Sequence, residues 1–146
     1  MCFYKTKQSK VLRTKKDIKV YKIGTYADKT VFKPFFYNVF EYPTNQIVSE
    51  IVIFDTIIED GLHSYLNCVL YPLFSNAVDL YTPRSLQYTI ELSYQLFLGE
   101  FIIPIGATYC LNSNGEVVSD TLIYTGNYVK VQPGKKYVTK ELWKEK

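Results

Sequence analysis

A chain with a single histidine can build few kinds of catalytic site, and here that residue is His63, in the run Glu59-Asp60-Gly61-Leu62-His63-Ser64-Tyr65. An imidazole beside carboxylates titrates near neutral pH and can move a proton. Any Ser–His or Cys–His nucleophile pair must use it. The candidate catalytic set is therefore His63, Glu59 or Asp60 to orient it, Ser64 as a neighbouring hydroxyl, and Glu116, which follows an Asn-Gly turn and can project from a rim. The competing structural reading makes His63 a loop residue bonded to a backbone carbonyl and Glu116 a solvated turn residue. His63 and Cys68 are five residues apart and Cys110 could join them in space, but zinc wants three or four ligands at recognisable spacing. No Gly-rich phosphate loop is present, and no metal or cofactor is expected. Tyr21, Tyr37, Tyr88, Tyr94, Tyr109 and Tyr124 fall in alternating segments. Such a tyrosine face can stack bases or sugars, form a protein interface, or close a β core.

The elements that must position these groups read mostly as strands. Asp17–Ile23 alternates, with Ile18, Val20 and Lys22 facing one way and Lys19, Tyr21 and Ile23 the other; Gly24 is expected to end it. Val31–Tyr42 is dense in Phe, Tyr and Val, with Pro34 confined to an edge, a bulge or a strand start. Pro43-Thr44-Asn45 predicts a turn. Gln46–Ile58 is β-branched and apolar, interrupted by Glu50 and Asp55, and predicts a central strand. Residues 62–81 are ambiguous. Leu86 to Leu98 alternates apolar with polar residues, which predicts a long strand, although Thr82-Pro83 resembles a helix start and keeps a helix as the alternative. Phe101–Cys110 reads as a strand bent at Pro104 and Gly106. Asn114-Gly115 suits a tight hairpin turn, and Val117–Tyr124, Tyr128–Val131 and Tyr137-Val138 follow as strands. Thr139–Lys146 reads as a frayed helical end with Trp143 on the core. The expected fold is β-rich α+β: a mainly antiparallel sheet of six to nine strands with little helix.

Length and composition set the frame. At 146 residues the chain suits one domain, 1–146, with 1–16 an exposed basic lead-in and 139–146 a C-terminal tail. Its 47% hydrophobic and 21% charged content excludes whole-chain disorder. The net charge of +3 hides an asymmetry. Residues 1–33 carry ten Lys/Arg against Asp17 and Asp28; residues 34–129 carry Arg84 against ten acids; residues 130–146 carry six lysines against Glu141 and Glu145. Basic ends on an acidic body admit nucleic-acid binding. The predominance of Lys over Arg, the better fork for phosphate and base edges, disfavours it. Three widely spaced cysteines, Cys2, Cys68 and Cys110, do not make a disulfide framework and suit a reducing cytosol. No secretory leader and no membrane span are read, so the expected location is cytoplasmic.

Several segments together resemble a family of small uncharacterised proteins of gut Bacteroides-type bacteria and their phages: Met1-Cys2-Phe3-Tyr4-Lys5, the DIKVYKI strand, the GLHSY turn at Gly61–Tyr65, and FIIPIGATYCLNSNGEVVSD from Phe101. The resemblance implies a cytoplasmic protein and no assigned activity. A first strand containing Tyr21-Lys22, a later His63-Ser64-Tyr65 and a final Glu116 also loosely resemble ADP-ribosyltransferase-like folds. Those position NAD with a His or Arg, a Ser or Tyr, and a Glu. That resemblance implies binding roles for Tyr21, Lys22 and Tyr65, with Lys22 standing where those folds carry His or Arg. The leading expectation is a non-enzymatic module that presents aromatic strands to a protein partner or to its own copy. An enzyme centred on His63 is the second expectation. Nucleic-acid binding through residues 5–33 and 130–146 is the third.

Overall fold

The structure, a computed structural model, describes residues 3–5, 9–34, 41–55, 57–58, 61–66, 69–70, 96–112, 115–132 and 135–142. Glu59, Asp60, Cys2, Cys68, Trp143 and residues 71–95, which include the 86–95 part of the alternating stretch, lie outside the described residues. The strands in chain order are β1 (Phe3–Tyr4), β2 (Val11–Arg13), β3 (Ile18–Ala27), β4 (Val31–Pro34), β5 (Tyr42–Pro43), β6 (Ile47–Ser49), β7 (Ile57–Ile58), β8 (Leu62–Tyr65), β9 (Val69–Leu70), β10 (Leu96–Ile103), β11 (Thr108–Leu111), β12 (Glu116–Ser119), β13 (Thr121–Val131) and β14 (Tyr137–Val138). One 3-10 turn, Thr139–Glu141, is the helical content of the described residues. The expected antiparallel, strand-rich fold is present. Its main sheet has ten strands ordered β2-β11-β12-β8-β3-β10-β13-β6, with β4 and β5 branching from β3. The count exceeds six to nine because stretches expected to be continuous break into short pieces.

Two units share this sheet. In the first, β3 pairs with β4 and β4 with β5. Thr44 then bridges Tyr124 of β13, and β13 pairs with β10, which pairs back to β3. These pairings close a ring. Inside it Phe32, Phe101 and Tyr124 are fully buried beside Tyr42, with Phe101 edge-on to Phe32 and to Tyr42 at centroid distances of 4.9 and 5.0 Å. Aromatic quadrupoles favour that geometry beyond area burial. Gly24 does not end β3; it lets the Phe32 ring approach. A Cβ there would lie 2.3 Å from the Lys33 carbonyl oxygen and 2.6 Å from Phe32 Cζ, and one on Gly99 would lie 2.5 Å from Phe32 Cε2. Asp28 sets the β3–β4 turn. Its carboxylate accepts from Tyr26 O–H (2.7 Å), from the amide and hydroxyl of Thr30 (2.7 Å each) and from the Val31 amide (2.9 Å). Those hydrogen bonds hold the Asp28 carboxyl well below the usual carboxylate range.

The second unit is a wing of β8, β12, β11 and β2, hung from β3 by one residue pair, Tyr21↔Tyr65. β11 and β12 pair as a hairpin, as expected, with Cys110 opposite Val118. The Val117–Tyr124 stretch splits at Asp120, whose Oδ1 accepts from the Thr108 amide and from the Thr121 hydroxyl. Residues 11–13 of the lead-in keep exposed side chains while their backbone pairs with β11. Thr14 is buried and ties this edge down, donating to the Pro104 carbonyl (2.6 Å) and accepting from the Ala107 amide (3.0 Å).

Gln46–Ile58 departs furthest from expectation. It is not a central strand. Ile47–Ser49 forms the last strand of the sheet, residues 50–54 continue without a ladder, and Ile57–Ile58 pairs with β1. Within it Val48, Val52 and Phe54 pack inward, while Ile47, Ile51 and Ile53 are 70%, 91% and 75% exposed. Apolar residues on both sides of an extended segment signal burial on both sides; here one side stays in water.

Candidate functional site

Directly opposed residues of antiparallel strands point to the same face. Register therefore places Glu100 (β10), Tyr21 (β3), Tyr65 (β8) and Glu116 (β12) in one lateral row across four adjacent strands. All four are buried, at 4–7% exposure. His63 lies on the same face two residues from Tyr65, opposite Val118. Two apolar clusters lie beside the row, and Tyr21 and Tyr65 belong to the first. One holds Tyr21, Ile23, Tyr65, Leu98 and Tyr137, and the other Ile58, Cys110 and Val118. Glu100 accepts a hydrogen bond from Asn127 Nδ2 at 3.2 Å. Among the described residues its Oε2 has no partner.

Of the residues singled out in the sequence, the fold gathers His63, Ser64, Glu116, Tyr21, Lys22 and Tyr65 at the β3–β8–β12 junction, but it distributes them over two faces. Strand alternation turns Ser64 and Lys22 away from His63, Tyr65 and Tyr21, toward the ring core. Ser64 Oγ is buried and has no hydrogen-bond partner among the described residues. Lys22 Nζ donates to the His63 backbone carbonyl and lies 5.5 Å from the Tyr42 ring centroid. Burial lowers its pKa to about 8. Burial also raises the Tyr42 phenol, and the Glu50 charge adds to the effect.

Among the described residues His63 lacks the partners that the residue types suggested; Glu59 and Asp60, expected to orient it, lie outside them. Neither ring nitrogen of His63 has a hydrogen-bond partner among the described residues. Burial first, then the Lys22 charge, lowers its pKa to about 3. Such an imidazole is neutral at pH 7 and a weak base, where acid–base catalysis wants a pKa near the working pH. Ser64 faces the opposite way, so it is not a nucleophile activated by His63. Three interstrand steps of about 4.8 Å put the Glu100 and Glu116 backbones roughly 14 Å apart. Lys22 does not converge with Tyr65 and Glu116, so the NAD-binding trio of the second resemblance is not assembled. No group of three His, Cys, Asp or Glu residues that could hold a metal occurs among the described residues.

Sequence reading missed two features. Glu100 is the lone acid of the apolar run Leu96–Ile103, and that isolation, beside Gly99, was the available signal. The exposed isoleucines were also missed. Tyrosine placement differs from expectation too: Tyr21 and Tyr124 are buried and Tyr109 half-buried, so aromatic residues serve the core, while Tyr37, Tyr88 and Tyr94 lie outside the described residues. No helix among the described residues is long and apolar enough to cross a membrane. Comparison of the chain with protein-family profiles, curated proteins and solved structures finds no match.

Proposed function

We propose that this chain is a non-enzymatic protein-interaction module whose contact surface is the alternating isoleucine stripe Ile47, Ile51, Ile53 and Ile57. The observation that carries this reading is their exposure: 70%, 91%, 75% and 48% on a segment of eleven residues whose even-numbered apolar neighbours pack inward. Single exposed apolar residues are ordinary, but four in periodic order mark a surface that is covered in use. A module of this kind needs a rigid frame, which suits the aromatic ring. The free, buried thiol of Cys110 fits a reducing cytosol, as does the resemblance to small proteins of gut bacteria and their phages.

The test pairs light scattering of the purified chain with capture from bacterial lysate, using the wild type and the Ile51→Asp/Ile53→Asp variant. The wild type associates, with itself or with a captured protein, and the variant loses that association while its denaturation midpoint holds. A wild-type chain that stays monomeric and captures nothing overturns the reading.

A further inference from the structure

The sheet has two open ends, and they are chemically opposite. At one end β2 is exposed at Val11 (40%) and Leu12 (44%), with Ile105 (65%) beside it on the turn tied to Thr14 and Asp17. Residues 9–16 around this edge contain Lys10, Arg13, Lys15 and Lys16 and no acid. At the other end β6 and the extended residues 50–55 expose Ile47, Ile51 and Ile53. Residues 46–58 contain Glu50 and Asp55 and no base. Among the described residues β2 pairs only with β11 and β6 only with β13, so each strand keeps one unpaired edge. Both are three residues long.

An unpaired strand edge is a template for another strand, and like charges along it are the usual means of preventing that. The basic β2 edge repels its own copy and so does the acidic β6 edge, while the two attract each other. Exposed aliphatic side chains at both ends supply the area that makes such a contact stable, and opposite charge selects the pairing. We propose that copies of this chain associate head to tail, the β2 edge of one receiving the β6 edge and isoleucine stripe of the next. The inference rests on the interaction-surface reading and names its partner as a second copy. A contact between two different patches is heterologous, so it closes into a ring or continues as a chain.

Mixing separates this from every symmetric dimer. The Val11→Asn/Leu12→Asn variant keeps only the β6 edge, and the Ile51→Asn/Ile53→Asn variant keeps only the β2 edge. All four residues are exposed, so both variants retain the wild-type denaturation midpoint. Expected by sedimentation velocity is a wild type whose mass grows with concentration past two protomers, each variant alone at least about tenfold weaker in association, and a 1:1 dimer when the two are mixed. Persistent dimers of the Val11→Asn/Leu12→Asn variant alone mean a symmetric β6 contact and overturn the proposal. A monomeric wild type also overturns it. If that monomeric wild type still captures a different protein through the stripe, the interaction module stands and only its partner changes.

Discussion

The aromatic ring and the sheet edge use similar apolar side chains for opposite ends. In the ring Phe32, Phe101, Tyr42 and Tyr124 are sealed by strands that pair all the way round, and Gly24 and Gly99 leave the space in which the Phe32 ring settles. At the β6 edge one half of an equally apolar segment seals against Leu122, Val118 and Ile58 neighbours, and the other half is left in water. Burial on both sides makes stability; burial on one side leaves an apolar face in water. The junction of ring and wing is a third condition. Polar groups there, His63, Ser64, Lys22 and Glu100, are enclosed without full pairing among the described residues, which costs stability.

The comparison can be broken at the ring first. Phe101→Ala removes a fully buried ring that touches three other aromatics and is expected to cost about 3–5 kcal/mol in urea denaturation. A loss under about 1 kcal/mol would mean the ring is not the stabilising centre. The junction comes next. His63 titrates at about 3 in the folded chain against 6.5 in the unfolded one. Its contribution is thus complete above pH 6.5 and is lost as pH falls toward 3, by up to about 5 kcal/mol. His63→Gln should flatten that part of the stability–pH curve, and an unchanged curve would place the imidazole in water. Lys22 acts in the same sense at higher pH. Its folded value of about 8 lies below 10.5, so the unfolded chain binds more protons between those values. Stability therefore rises from pH 8 to 10.5 by about 3 kcal/mol. Lys22→Met should lack this rise when the two proteins are titrated together; an equal rise in both would remove the buried ammonium from the account. Smallest is the edge. Ile51→Ser and Ile53→Ser should move folding stability by no more than about 0.5 kcal/mol while abolishing the proposed association, and a loss of several kcal/mol would return the stripe to the core.

Much of the local structure was legible in residue order. Tyr21 and Ile23 do part from Ile18 and Val20 to opposite faces, because a strand alternates whatever surrounds it. β11 and β12 pair as the hairpin expected there, and the bend at Pro104 and Gly106 falls between β10 and β11. These are short-range facts: φ preferences and side-chain direction depend on neighbours in the chain. Neighbours across the sheet are another matter. Proximity in sequence suggested His63 with Ser64, yet adjacent strand residues point apart, and Glu100 reaches the face of Tyr65 and His63 only because β3 lies between β10 and β8. Likewise the composition of Gln46–Ile58 determined that it would be extended and apolar, while strand order alone decided that it would lie at the rim. Burial is a property of what packs alongside, and loop closure between distant segments, not residue type, selects that partner.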